Sequence, residues 1–596
     1  MRTSIATVSL SGSLTEKLTA AARAGFDGVE IFENDLLASP LTPEDVRERC
    51  ADLGLSIDLY QPMRDMEAVP DDVFARNLRR AEHKFRLMRR LGADTVLVCS
   101  SVSPQSVGDD ALAAEQLRQL AERASDFGIR VAYEALAWGR HVNTYDHAWR
   151  IVEAADHPAL GTCLDSFHIL ARGTEGRDLE GIEDIPGDKI FFLQLADAPL
   201  LDMDVLRWSR HYRCFPGQGD LDVAGLLRHV LRAGYQGPLS LEIFNDVFRQ
   251  AEAGPAAVDA LRSLLALQEA VGEGGLPKPV VPTGVAFAEL VTPDVAPAAD
   301  LLAALGFTRT GRHRGKPVDL WEQGEARVLL NTGPAARRDG TVLAAVGLES
   351  PGPAAAARRA EALLAPVLPR RRGTGDVLLD AVAAPDGTEL FFCATGRPEL
   401  PSWTRDFEPT GERPAETDIT GVDHLQLTQP WHQFDEAALF HRSVLGLEPT
   451  ASVDVADPYG LLRSRAVATA DGAVRIALGA GPGPGEDQDR AQHIALTTDD
   501  VVAAARRFRE AGGELLPMPG NYYDDLAARF EFAPGELETY QDLGILYDRD
   551  AHGAFRHCYT RTVGRVFFEL AQRDDGYQGY GAQNAPVRLA AQHAPN

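Results

Sequence analysis

The feature that most constrains this chain is a series of eight short apolar segments near its start, each followed by a helical pattern. They lie at residues 4–10, 28–32, 55–60, 95–98, 131–134, 161–164, 190–195 and 239–243. Ala24-Gly25, Leu91-Gly92, Phe127-Gly128 and Ala233-Gly234 put glycine where a helix has to exit. Strands alternating with helices imply a parallel sheet, and eight such units predict closure into a (β/α)8 TIM barrel, an α/β fold. Four of the strands close on an acid or an amide: Glu134, Asp165, Gln194 and Glu242. In a closed barrel the carboxyl ends of the strands share one mouth. Three carboxylates and an amide carbonyl aimed at one spot repel one another unless a hard divalent cation neutralises them. The pattern therefore predicts a metal-dependent enzyme, with Mg, Mn or Co equally compatible.

At 596 residues the chain exceeds a single core. Its boundaries are read as a barrel over 1–272, a linker over 273–283, a repeat over 284–396, a connecting loop over 397–416 and a second repeat over 417–596. The linker is rich in glycine and proline. The internal repeat is visible in Thr283-Gly-Val-Ala-Phe287 against Thr420-Gly-Val-Asp-His424. Each half then carries a helix and a Leu-Gly pair, Leu305-Gly306 or Leu445-Gly446, and ends on paired phenylalanines in Leu390-Phe-Phe-Cys393 or Val566-Phe-Phe-Glu569.

A net charge of −28 argues against nucleic acid and anionic membranes as partners. Six scattered cysteines with no CxxC pair suit a reducing compartment. No run approaches the ~20 apolar residues of a membrane span. A cytoplasmic protein is expected.

Other residues gather at the predicted mouth. His168 follows Asp165 by three positions, and a neutral imidazole there has the reactivity of a general base; the plain alternative is a packing role. Arg64 and Arg210 lie on neighbouring loops and have the geometry to clamp a substrate carboxylate, although loop arginines are commonly solvated.

The segments Asp27-Gly-Val-Glu-Ile-Phe-Glu33, Tyr60-Gln-Pro-Met-Arg64-Asp, Asp165-Ser-Phe-His168, Gln194-Leu-Ala-Asp197, Arg213-Cys-Phe-Pro-Gly-Gln-Gly219 and Ser240-Leu-Glu242-Ile-Phe-Asn245 resemble the xylose-isomerase-like barrels, and among them the bacterial 3-dehydroshikimate dehydratases. The resemblance implies dehydration of 3-dehydroshikimate to protocatechuate in quinate and shikimate catabolism, with the cation on Glu134, Asp165, Gln194 and Glu242. A sugar isomerase or epimerase on the same quartet remains the alternative. An apurinic endonuclease is disfavoured, because it needs a histidine-rich zinc cluster and a basic face.

In the second repeat His424, His493 and Glu569 fall on three separate strands, a donor set suited to ferrous iron or another divalent metal such as Mg. The aligned residues of the first repeat are Phe287, approximately Ala345, and Cys393, none of which is a hard ligand. Residues 284–585 resemble the vicinal-oxygen-chelate superfamily, an α+β fold, and particularly 4-hydroxyphenylpyruvate dioxygenase. The matching segments are Ile419-Thr-Gly-Val-Asp-His424, Asn521-Tyr-Tyr-Asp524 and Phe567-Phe-Glu569-Leu-Ala-Gln572-Arg573. Two departures stand out. Phe555-Arg-His557-Cys-Tyr559-Thr560 replaces a glutamine-containing stretch, and the ending after Gly579 reads as lacking the apolar helix of the dioxygenases. A dioxygenase activity in this module, with the barrel as a binding domain, and a role in homo-oligomer assembly both remain open.

Overall fold

A computed structural model describes residues 1–172, 179–333, 340–369, 375–397, 399–414, 418–481 and 491–593. The chain divides into two compact units, Met1–Leu276 and Pro277–Asn596.

In the first unit β1 (Thr3–Ala6), β2 (Gly28–Phe32), β3 (Ser56–Arg64), β4 (Thr95–Cys99), β5 (Arg130–Glu134), β6 (Leu160–Asp165), β7 (Ile190–Leu195) and β8 (Leu239–Leu241) form a closed parallel barrel in sequence order. This is the (β/α)8 architecture read from the sequence. The helices start and stop on local chemistry. Ser13 and Glu16 make a reciprocal capping box on Leu14–Ala24, and Thr42 with Asp45 does the same for Pro43–Asp52. Gly25, Gly92, Gly128 and Gly234 all adopt positive φ, the left-handed geometry that ends a helix without a Cβ clash. Leu59, Leu97, Ala132, Cys163 and Phe192 form an apolar cluster of the barrel core. Beside it lies a polar set, Glu30, Gln61, Gln194 and Ser240, all buried.

The second unit holds two curled eight-stranded sheets. The first contains β9 (Gly284–Val291), β10 (Thr308–His313), β11 (Val318–Gln323), β12 (Ala326–Asn331), β13 (Val342–Glu349), β14 (Asp380–Ala383), β15 (Glu389–Cys393) and β16 (Phe407–Pro409). The second contains β17 (Ile419–Gln429), β18 (Glu448–Asp457), β19 (Gly460–Ala468), β20 (Arg475–Ala480), β21 (Gln492–Thr498), β22 (Leu546–Arg549), β23 (Ala554–Tyr559) and β24 (Val566–Asp574). The order β15-β13-β9-β12-β11-β10 in one sheet repeats as β24-β21-β17-β20-β19-β18 in the other. The internal repeat is thus a structural duplication of the vicinal-oxygen-chelate kind.

Three sequence expectations need correction. The connecting loop is partly structured: β16 pairs with β10 and extends the first sheet. The ending does carry a helix, Ala585–His593, because Leu589 packs on Val455 and Leu462 despite the segment's weak apolar pattern. Strand register also shifts one alignment. His493 faces Phe567 and Ala345 faces Glu389 in the matching parallel pairs, so Glu569 corresponds to Phe391, two residues before Cys393. Among the described residues no helix is long and apolar enough to cross a membrane.

Candidate metal centres

Glu134 ends β5, Asp165 ends β6, Gln194 lies in β7 and Glu242 follows β8 by one residue. All four are buried, as is His168. Asp165 caps the short helix Ser166–Leu170: its Oδ1 accepts the His168 backbone N–H at 2.9 Å. That contact explains how His168 comes to share the mouth. Ligand-type atoms of Glu134, Asp165 and His168 all lie within 4.8 Å of one another.

Arg213 was legible only as one of several loop arginines, yet it sits at the centre of the cluster. Its Nη1 donates to Asp165 Oδ2 at 2.8 Å and to Glu242 Oε2 at 3.0 Å. Its loop is pinned by reciprocal backbone bonds between Asp197 and Cys214 at 2.9 and 2.8 Å and by Asn245 Nδ2 on the Arg213 carbonyl. Glu134 is served less well. Cys99, its register partner on β4, donates Sγ–H to Oε2 at 3.3 Å, while Oε1 is buried with no hydrogen-bond partner. Burial, with the nearby charges of Asp165 and Glu242, pushes the Glu134 carboxyl well above its usual range. Burial would raise Asp165 too, but Arg213 and His168 bring it down. Burial and mutual repulsion thus raise Glu134 and Glu242 despite Arg213, and one Glu134 oxygen is left without a partner. This donor set fits a divalent cation.

The His168 ring is held on both sides. Nδ1 accepts the Ala137 N–H at 3.2 Å, and Nε2 stands 3.2 Å from Arg213 Nη2, itself only a donor, so both ring nitrogens face donors. Burial drives its pKa down to about 3, so the ring is neutral. Trp138 packs edge-on against it. Arg64 and Arg210 both line a cavity of about 420 Å³ together with Phe32, Met66 and Lys84. Arg210 also stacks on Phe244, which limits its freedom.

In the second unit His424 on β17, His493 on β21 and Glu569 on β24 converge. The two Nε2 atoms are 3.1 Å apart, and Glu569 Oε2 lies 3.3 and 3.0 Å from them. Those separations match the edges between neighbouring ligands bound at about 2.1 Å around one octahedral cation. Two of the three are also steered from behind, while His493 Nδ1 is buried without a hydrogen-bond partner. Asp423 takes His424 Nδ1 at 2.6 Å and is itself held by Arg573 Nε at 2.6 Å. His557 Nδ1 bonds Glu569 Oε1 at 2.8 Å, and its Nε2 meets Asn584. Burial would lower His424, but the Glu569 and Asp423 carboxylates lift it to about 9, whereas burial takes His493 down to about 4. Asp423 was visible beside His424 in the sequence; His557, Arg573 and Asn584 were not recognisable as supports.

In the first repeat Phe287, Ala345 and Phe391 stand where the triad stands in the second. They join Trp403 and Phe407 in a buried apolar cluster, with the Phe287 and Trp403 rings 4.9 Å apart. The three equivalent positions thus carry no metal-ligating side chain, although these aromatics border a cavity of about 330 Å³ that His313, Asp376 and Asp406 also line.

Comparison with known proteins fits this geometry. Residues 18–267 match the family described as xylose isomerase-like TIM barrel. Residues 277–375 match the N-terminal part of hydroxyphenylpyruvate dioxygenase, and 421–550 the glyoxalase/bleomycin resistance protein/dioxygenase superfamily. A 3-dehydroshikimate dehydratase of Pseudomonas putida is 45% identical, covering 99% of this chain and 98% of its own length. A 4-hydroxyphenylpyruvate dioxygenase of Pseudomonas aeruginosa is 27% identical over 51% of this chain and 92% of its own. A solved structure described as a xylose isomerase-like TIM barrel/4-hydroxyphenylpyruvate dioxygenase fusion protein superposes with TM-score 0.91 at 44% identity, covering 99% of each chain.

Proposed function

Since this chain belongs to the 3-dehydroshikimate dehydratase family, we propose that Glu134, Asp165, Gln194 and Glu242 hold the divalent cation on which its barrel chemistry depends. The protein is a hydro-lyase that converts 3-dehydroshikimate to protocatechuate and water, and its small-molecule substrate binds at the barrel mouth. The observation that carries the ligand reading is the buried, unpartnered Glu134 Oε1 within a carboxylate cluster that Arg213 alone does not neutralise. When bound, Mg²⁺, Mn²⁺ or Co²⁺ would polarise the substrate ketone and acidify the neighbouring C–H.

The chain's own residues do the rest. Arg64 and Arg210 line the cavity beside the mouth and supply cations for the substrate carboxylate. His168 takes the alpha proton through Nε2. That role needs the ring proton on Nδ1, so the 3.2 Å contact from Ala137 has to give way as the substrate arrives. The beta hydroxyl then leaves as water, and enolisation of the remaining ketone gives the catechol. Burial of Trp208 and Phe167 close to Arg213 keeps bulk water from the base.

His424, His493 and Glu569 hold a second divalent cation, Fe or Mg. The soluble, metabolic character of the chemistry suits the cytoplasm. Incubating the protein with 3-dehydroshikimate and following the catechol chromophore tests the reading. Interconversion of sugars without aromatisation would replace it. Oxygen uptake with 4-hydroxyphenylpyruvate would instead make the second unit an oxygenase.

A further inference from the structure

Glu30 lies on β2 at the heart of the barrel, fully buried, and the reaction above does not use it. Its carboxylate collects donors from three other strands. Oε2 accepts Gln194 Nε2 at 2.6 Å and Gln61 Nε2 at 2.9 Å, and Oε1 accepts the Ser240 hydroxyl. One acid therefore stands behind Gln194, one of the proposed cation ligands.

The consequence follows from the asymmetry of a primary amide. Its oxygen binds a cation; its NH2 group repels one. A carboxylate oxygen that only accepts fixes the Gln194 amide with NH2 toward Glu30. Gln194 Oε1 is left with just the weak thiol donor of Cys163 at 3.6 Å. We infer that Glu30 is a positioning residue that fixes the Gln194 amide with its oxygen free for the barrel cation. The inference rests on the reading of Gln194 as a ligand. It does not depend on the charge of Glu30, because a proton on Oε1 has the Ser240 oxygen as its acceptor and leaves Oε2 facing both amides.

The test uses the full chain carrying His424→Ala, so that added Mn²⁺ reports on the barrel, with binding read by calorimetry. Glu30→Met, close in shape and apolar, is expected to weaken Mn²⁺ binding roughly 10–100-fold, the usual effect of removing a partner behind a ligand. Glu30→Gln is expected to stay within about threefold of the parent, since its amide oxygen replaces Oε2 and its NH2 group reaches Ser240. Adding Gln194→Leu to Glu30→Met should cost far less than Gln194→Leu alone, because the misdirected amide no longer contributes. Glu30→Ala serves if the methionine variant does not fold. Unchanged binding in Glu30→Met, equal damage in Glu30→Gln, or full additivity would each overturn the inference. Unchanged binding in Gln194→Leu alone would instead remove the ligand reading beneath it.

Discussion

The two repeats of the second unit run their strands in the same order, yet one curls around three hard ligands and the other around aromatic rings. In the second repeat His424, His493 and Glu569 point inward from β17, β21 and β24, with His424 braced by Asp423 and Glu569 by His557. In the first, Phe287 and Phe391 enter the equivalent space from β9 and β15 and pack in an apolar cluster with Trp403. The strand framework fixes which positions face inward; the side chains decide whether the interior is a binding site or a core. A polar interior should be dispensable for folding and essential for its ligand, and an apolar interior the reverse. The barrel mouth belongs with the polar case: its acids are buried, one of their oxygens is orphaned, and Arg213 bridges Asp165 and Glu242.

Substitutions can break this contrast, beginning with the largest effect. Glu134→Ala or Glu242→Ala should reduce dehydration to the floor of the catechol assay while the barrel still unfolds cooperatively. Near-normal turnover in either would mean that the acids are structural. His168→Ala should lower kcat by roughly 10²–10⁴, as expected for a lost general base. An unchanged rate assigns the proton to another group.

The next two changes separate the repeats directly. His424→Ala should remove one of two bound metal ions per chain, counted by elemental analysis, and leave dehydration within a few-fold of the parent. Loss of dehydration would reveal coupling between the units. Phe287→Ala should cost about 3–5 kcal/mol in the stability of the first repeat, the cavity cost of a buried aromatic, without altering the metal count. A metal count that falls with Phe287→Ala would contradict the assignment of that repeat as core.

Much of this was legible in the chain itself. The eight strand segments, the glycine stops and the acid or amide at four strand ends led to the barrel and its mouth, because each rests on local geometry that holds in any context. The residues that were missed depend on closure of the fold. Arg213 follows the helix Val205–His211 in an arginine-rich stretch, and only the return of its loop through Asp197 brings it between Asp165 and Glu242. Glu30 is one charge within a strand segment of the sequence; the barrel turns it inward onto three donors. Glu569 was paired with Cys393 because the preceding phenylalanines match, whereas the ladder with β13 sets the equivalence at Phe391. The helix Ala585–His593 shows no apolar stripe because one of its three buried residues is Arg588, beside Leu589 and Ala591.

The most direct measurement is the anomalous difference density of crystals grown with Mn²⁺ at its absorption edge. The account requires one peak bounded by Glu134, Asp165, Gln194 and Glu242, with Arg213 displaced from between Asp165 and Glu242 or sharing their outer oxygens. A barrel mouth without a peak, in crystals whose second unit shows one at His424, His493 and Glu569, would contradict it.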